Sequence, residues 1–181
     1  MKKNKGYTLV EMIIVIAIMA ILGGVSFITI GIIKESKRQS AVSKLDNQMS
    51  SCLIRTKAVS TSTNSTSTPL CIVIKKRADG CYAVMTGYIN GSDITDKAGN
   101  TLNPDIDANC EEILSKEISK IEYSPATGQA WSGSDMVIQF IKSDGSTKYG
   151  GGSYTMYAKT DESKPYATIC LDPVSGKHYV K

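Results

Sequence analysis

The chain has 181 residues, 41% of them apolar and 21% charged, with a formal net charge of +4. This length predicts one folded domain with an added segment. Three of the positive charges lie within the first five residues, and no basic stripe with interleaved aromatic residues follows, which argues against nucleic-acid binding by the folded domain.

Residues 12–33 form an apolar run without a charged side chain. As a helix, a run of this length spans roughly 33 Å, enough to cross the bilayer core. Lys2, Lys3 and Lys5 precede it and predict a cytoplasmic N-terminus. Three interpretations follow: a secretory signal cleaved near Gly24-Val25-Ser26, an uncleaved anchor, or a membrane helix with its own processing site.

The stretch Lys5-Gly6-Tyr7-Thr8-Leu9-Val10-Glu11 favours the third interpretation. It resembles the class III leader of type IV pilins and pseudopilins: a short basic leader ending in Gly, an aromatic residue, T-L-[IV]-E and an apolar helix. The resemblance implies that a prepilin peptidase cuts after Gly6 and that Tyr7 becomes an N-methylated N-terminus. The chain departs from many pilins because its apolar run lacks proline, so any bend would use Gly23-Gly24 or Gly31.

Glu11 places a carboxylate at the start of the apolar run. A charge at bilayer depth costs about 2.5–3.5 kcal/mol on insertion scales, so it needs a partner. Given the resemblance, the α-ammonium of Tyr7 on a staggered neighbouring helix can supply one. Glu11 is therefore predicted to set the register of assembly, and the alternative is a side chain that snorkels to the headgroups.

The resemblance implies a structural subunit of a type IV pilus filament. Such a subunit begins as a single-pass precursor in the bacterial membrane. It then forms a homo-oligomeric helical filament at the cell surface, with an inner-membrane assembly platform as a further partner. A pseudopilin of a type II secretion or DNA-uptake machine is one alternative, and a membrane-tethered binding domain that does not polymerise is another.

Enzyme chemistry has little support in the sequence. Neither a G-x-S-x-G elbow nor a P-loop occurs. The single histidine, His178, lies in a Gly-Lys-His-Tyr tail and is predicted to be a solvated end residue. We therefore expect no catalytic residue and no cofactor.

The helix is predicted to continue beyond the membrane. After a polar collar at 34–39, an apolar stripe recurs at helical spacing: Val42, Leu45, Met49 and Cys52, with Leu53 alongside. The chain then divides into a cleaved leader (1–6), a membrane and assembly helix (7–33), an amphipathic continuation (34–59) and a globular domain (60–181). A Ser/Thr-rich loop at 60–68 ends the helix and contains the sequon Asn64-Ser65-Thr66.

Strand patterns occur at 70–76, 81–89, 136–142, 153–159 and 166–171, with turns at 77–80 and 143–146. A short helix is predicted at 110–121, because its Ile and Leu residues share one helical face. The predicted fold class is α+β and pilin-like: one long N-terminal helix packed on an antiparallel sheet of about five strands.

Five cysteines follow the apolar run: Cys52, Cys71, Cys81, Cys110 and Cys170. They would lie outside the cell, so disulfides are predicted, with the pairing and the odd cysteine left open. The alternative is that some are small buried apolar residues. The lack of a C-x-x-C pair argues against structural zinc.

The alternation of Asn103, Asp105, Asp107 and Asn109 is typical of the start of a calcium loop. Ala108 replaces the required glycine, and Leu114 replaces the bidentate glutamate. We therefore favour Asp107 or Asn109 as the cap of the predicted short helix, with calcium as the alternative.

Overall fold

The computed structural model describes residues 7–58 and 70–181, with the backbone alone at 25–28. The chain forms two compact units, Met1–Lys37 and Arg38–Lys181. Helix α1 (Leu9–Ala58) contributes to both and confirms the predicted long helix. The leader at 1–6 and the Ser/Thr run with its sequon lie outside the described residues.

Within the described residues, ten strands and a short 3-10 helix (Asp107–Asn109) follow α1. The strands are β1 (Leu70–Lys76), β2 (Tyr82–Asn90), β3 (Asp93–Thr95), β4 (Glu112–Ile113), β5 (Ile118–Pro125), β6 (Met136–Phe140), β7 (Thr147–Tyr149), β8 (Gly152–Ala158), β9 (Asp161–Leu171) and β10 (His178–Val180).

These strands pair antiparallel in two sheets. Sheet A has the order β3-β2-β1-β6-β7, with β4 also paired to β2, and sheet B has the order β10-β9-β8-β5. The α+β class and the five main strand segments are confirmed, but the structure distributes them over two sheets.

The apolar stripe of α1 forms the first core with one face of each sheet. Leu45 and Met49 are fully buried there, beside Ile74 of sheet A and Ile169 of sheet B. The predicted packing of this stripe on the chain's own strands is therefore confirmed. Burial on this scale is the main source of stability for an amphipathic helix.

The opposite face of sheet A is covered as well and forms the second core. Val73 and Met85 are fully buried on that face, with Leu102 and Trp131 packed against it from the segments that follow β3 and β5. Burial on both faces explains why β1 and β2 read as nearly continuous apolar runs rather than alternating ones.

The predicted short helix at 110–121 is wrong, because β4 and the start of β5 occupy this stretch. In β5 the pairing register shifts between Ile118 and Lys120, and both Ile118 and Ile121 therefore reach the first core. A bulge of this kind gives apolar residues a spacing of three, which imitates the helical period. Asp107 and Asn109 belong to the 3-10 helix, whose N-cap is Ile106 without a side-chain bond, so neither caps an α-helix.

Candidate assembly site at the start of helix α1

The first turn of α1 is closed by a reciprocal pair of side chains, Thr8 and Glu11. Oε2 of Glu11 accepts the backbone N–H of Thr8 at 2.8 Å and its hydroxyl at 2.8 Å. The Glu11 N–H donates to Thr8 Oγ1 at 3.3 Å, and Met12 N–H donates to the Thr8 carbonyl at 3.2 Å. Thr8 is thus the N-cap, and the pair forms a capping box.

This arrangement engages only one oxygen of the Glu11 carboxylate. The side chain is exposed, and Oε1 has no hydrogen bond or ion pair to another residue in the described part of the chain. A carboxylate can accept at both oxygens. Glu11 therefore caps its own helix, and among residues 7–58 and 70–181 its Oε1 is left as an acceptor for a cation from elsewhere.

Tyr7 lies directly before the capping box and is 83% exposed. Gly6, the residue before the predicted cleavage point, lies outside the described residues. Because the Tyr7–Thr8 peptide bond survives cleavage after Gly6, the Thr8 N–H that binds Glu11 survives it too. The predicted α-ammonium would therefore arise one residue before an already ordered helix start.

The helix that follows presents its apolar side chains outwards. By length and composition alone, α1 can cross a membrane, and none of its apolar window is buried within the chain. Leu9 is 75% exposed and Met19 is 68% exposed. The helix runs unbroken through Gly23 and Gly24, and a Cβ built at either glycine would have no neighbour within 4 Å.

The five cysteines are free thiols in the structure. Cys52 lies in the first core and Cys71 in the second, on opposite faces of sheet A. Burial raises the pKa of the Cys71 thiol to about 12, and it also raises the pKa of Cys81 and of Cys110. Cys170 is half-buried on the outer face of sheet B, with Sγ 3.8 Å from Ser153 Oγ. The disulfides stay a prediction.

The carboxylates of the calcium-like alternation have protein partners. Asp107 Oδ1 accepts from Arg77 Nη1 at 2.7 Å, and Asp105 Oδ1 accepts the Ala78 N–H at 2.9 Å. The hydrogen bond to Asp107 raises the pKa of Arg77. The two acids therefore hold the β1–β2 turn in place, and calcium at this loop stays an expectation from the sequence.

The prediction that His178 is a solvated end residue is wrong. Its side chain is only 10% exposed, because β10 places the imidazole against α1. Its Nε2 lies 3.0 Å from Ser50 Oγ and 3.4 Å from Asp46 Oδ1. Both partners contact the same nitrogen, whereas a Ser-His-Asp relay needs the acid on the other one.

Sequence reasoning identified Glu11 from its charge but missed Thr8 as its partner. The signal was present, since T-x-x-E before an apolar run is the sequence signature of a capping box. The contact of His178 had no such local signal, because it joins residues from opposite ends of the globular unit.

Comparison with known proteins gives a match at the N-terminus. Residues 1–27 match the family model of the prokaryotic N-terminal methylation motif, and the match includes Gly6, Tyr7 and Glu11. No curated protein and no solved structure matches the chain. The motif and the apolar helix fit a membrane-anchored precursor. The chain therefore carries the prokaryotic N-terminal methylation motif, the class III signal that type IV pilins and pseudopilins share.

Proposed function

We propose that this protein is a structural subunit of a type IV pilus filament, assembled through α1 after a prepilin peptidase cuts behind Gly6. The observation that carries the proposal is the Glu11 carboxylate at the start of an outward-facing apolar helix, which bonds the described residues of its own chain through one oxygen alone. The methylation motif points to a structural protein rather than to an enzyme family.

The assembly step follows from charge pairing in an apolar medium. Cleavage creates an α-ammonium at Tyr7, and Oε1 of Glu11 offers an acceptor that no described residue of its own chain uses. An unpaired charge is costly in hydrocarbon, so the register in which one subunit's ammonium meets its neighbour's carboxylate is favoured over the others. The apolar helices then pack around that pair, as an inner-membrane assembly platform draws them from the membrane.

A pseudopilin of a type II secretion or DNA-uptake machine has the same kind of N-terminus and is the alternative. The polar outer face of sheet B, which carries Ser153 and Thr155 on β8 and Thr168 on β9, favours a solvent-exposed pilus. Labelling of intact cells with an antibody against residues of this face separates the two. Long labelled fibres support a pilus, whereas short structures confined to the envelope support a pseudopilus.

Intact-mass measurement of the exported protein tests processing. We expect a chain that begins at Tyr7 and carries one methyl group. A chain that begins at Met1 would support an uncleaved, non-polymerising anchor, and one that begins at Phe27 would support an ordinary secretory signal. Either result would overturn the proposal.

A further inference from the structure

Among the described residues, two interactions attach the last strand, β10, to the rest of the globular unit. One is its backbone pairing with β9, in which Thr168 and Lys181 exchange hydrogen bonds of 3.1 and 2.8 Å. The other is the imidazole of His178. The remaining side chains of the strand contribute little burial, since Tyr179 is 53% exposed and Val180 is 47% exposed.

The outer backbone edge of β10 is open. Antiparallel residues alternate between bonded and non-bonded positions. Because Lys181 is bonded to Thr168, the N–H and C=O groups of His178 and Val180 point away from β9. Within residues 7–58 and 70–181 these groups make no hydrogen bond.

The contacts of His178 determine where the imidazole proton sits. Asp46 Oδ1 lies 3.4 Å from Nε2, and because a carboxylate only accepts hydrogen bonds, its charge favours hydrogen on that nitrogen. Ser50 Oγ, at 3.0 Å, shares that donor. Nδ1 is fully buried and has no partner within the described chain. A neutral ring with hydrogen on Nε2 alone leaves no buried donor unsatisfied, whereas hydrogen on Nδ1 would.

We infer that β10 is a strap that opens as a unit, and that His178 is its lock on α1. Ser50 and Asp46 contact the imidazole at Nε2, and after loss of that contact the described residues hold the strap by the short β9 pairing. Opening frees the backbone groups of Thr168 and Cys170 at the edge of β9, while β9 stays paired with β8 along its other side. A freed strand edge of this kind accepts an added strand.

Amide hydrogen exchange on the full chain in detergent micelles tests the lock. In His178→Ala we expect protection of the Tyr179 and Lys181 amides to fall about tenfold, as for loss of a part-buried hydrogen bond. Ser50→Ala removes the hydrogen-bond partner at 3.0 Å and Asp46→Asn removes the charge at 3.4 Å, and each should lose part of the same protection. Val180→Ala is the matched control on the same strand and should change protection less than twofold.

The amides of Val73 and Met85, in the middle of sheet A, report global opening in the same experiment. Unchanged protection of β10 in His178→Ala would overturn the lock. An equal loss at Val73 and Met85 would overturn the strap, because β10 would then open only with the whole domain. Imidazole ¹⁵N shifts that place hydrogen on Nδ1 of the neutral ring would contradict the assigned role of Asp46.

Discussion

The Glu11 carboxylate accepts both the backbone N–H and the hydroxyl of Thr8 at 2.8 Å through a single oxygen. The residue that we propose to meet a neighbouring subunit is therefore also part of the device that starts its own helix. The two roles use different oxygens of one carboxylate, so they can operate together. They also respond differently to substitution, which makes them separable by experiment.

Glu11→Gln should separate charge from capping. A glutamine at this position still completes a capping box, but it cannot neutralise an ammonium. We expect membrane insertion and cleavage to proceed and filament yield to fall at least about tenfold, since a factor of ten corresponds to only about 1.4 kcal/mol. Sheared-filament yield and precursor processing are measured together, with Glu35→Gln as the control at the far end of the apolar run.

Glu11→Ala and Glu11→Val should remove both roles and also lower filament yield without blocking cleavage. A normal yield from Glu11→Gln would refute the registry role of the charge. If filament yield falls in Glu11→Ala but stays normal in Glu11→Gln, only the capping role of Glu11 is supported.

Thr8→Val tests the other half of the pair. Valine keeps the shape of the side chain but removes the hydroxyl, so the Glu11 N–H loses its acceptor at 3.3 Å. Loss of an N-cap costs about 1 kcal/mol, and we expect roughly fivefold faster hydrogen exchange at Glu11. Thr8→Ser keeps the hydroxyl and should exchange like the wild type. Equal exchange in Thr8→Val and Thr8→Ser would contradict the capping box.

Arg38 should matter more to stability than an exposed ion pair of the same unit. Its side chain is 12% exposed, and Nη2 lies 3.0 Å from Thr160 Oγ1 and 3.9 Å from Glu117 Oε2. We expect Arg38→Ala to lower the free energy of unfolding by about 2 kcal/mol. Lys44→Ala breaks the more exposed pair with Glu112 and should cost less than about 1 kcal/mol.

Urea unfolding in micelles, followed through the fluorescence of Trp131, measures both variants. Trp131 is the single tryptophan and packs edge-on against Tyr149 at 4.9 Å, so its emission reports on the second core. Equal losses of unfolding free energy for Arg38→Ala and Lys44→Ala would show that the burial of the cation does not determine how much it stabilises the protein.

Cys71 should make stability fall in alkaline solution. Burial raises the pKa of its thiol from 9.0 to about 12, so the unfolded chain releases this proton first. The contribution of Cys71 to the free energy of unfolding is complete below pH 9, and it is lost as the pH rises towards the pKa of the thiol in the folded protein. The slope reaches about 1.4 kcal/mol per pH unit. Cys71→Ala should make the fall of the unfolding free energy between pH 9 and 11 less steep, while Cys52, Cys81 and Cys110, whose pKa values are also raised by burial, keep their part of it. An unchanged slope would exclude Cys71 as a cause.

Substitution of two glycines with the same φ of +66°, Gly91 and Gly176, distinguishes the cost of backbone strain from the cost of a steric clash. A Cβ at Gly91 would meet nothing within 4 Å, whereas a Cβ at Gly176 would strike the carbonyl oxygen of Gly145. Gly91→Ala should therefore cost about 1–2 kcal/mol from backbone strain alone. Gly176→Ala should cost more, because the two turns must move apart. The same urea experiment ranks them, and a smaller loss for Gly176→Ala would contradict the close approach.

Much of the fold is predictable from the sequence, because α1 carries a periodic apolar stripe and the strands at 70–76 and 136–140 are short apolar segments rich in Ile and Val. The division into two sheets is not predictable in this way, since strands such as β3, β4 and β7 are only two or three residues long and have no period to read. At Ile118 and Ile121 a bulge replaces the strand period with a helical one.

The candidate site shows the same distinction between local and distant signals. Thr8 and Glu11 are three residues apart, so their capping box can be read directly from the sequence. His178 and Asp46 meet only because β10 returns to the flank of α1. No local pattern encodes a contact of that kind.

The second core has a consequence for the surface of the protein. In the described part of the chain, β1, β2 and β6 of sheet A are covered on both faces, because the segments carrying Leu102 and Trp131 cover the side that α1 does not. The solvent-facing surface on that side consists of turns. Short local hydrogen bonds hold them, such as the one that the Asn100 N–H donates to Asp96 Oδ1 at 2.8 Å. Exposed side chains of these turns can change without altering the strand register beneath them. The chemistry of this surface is therefore independent of the packing of sheet A.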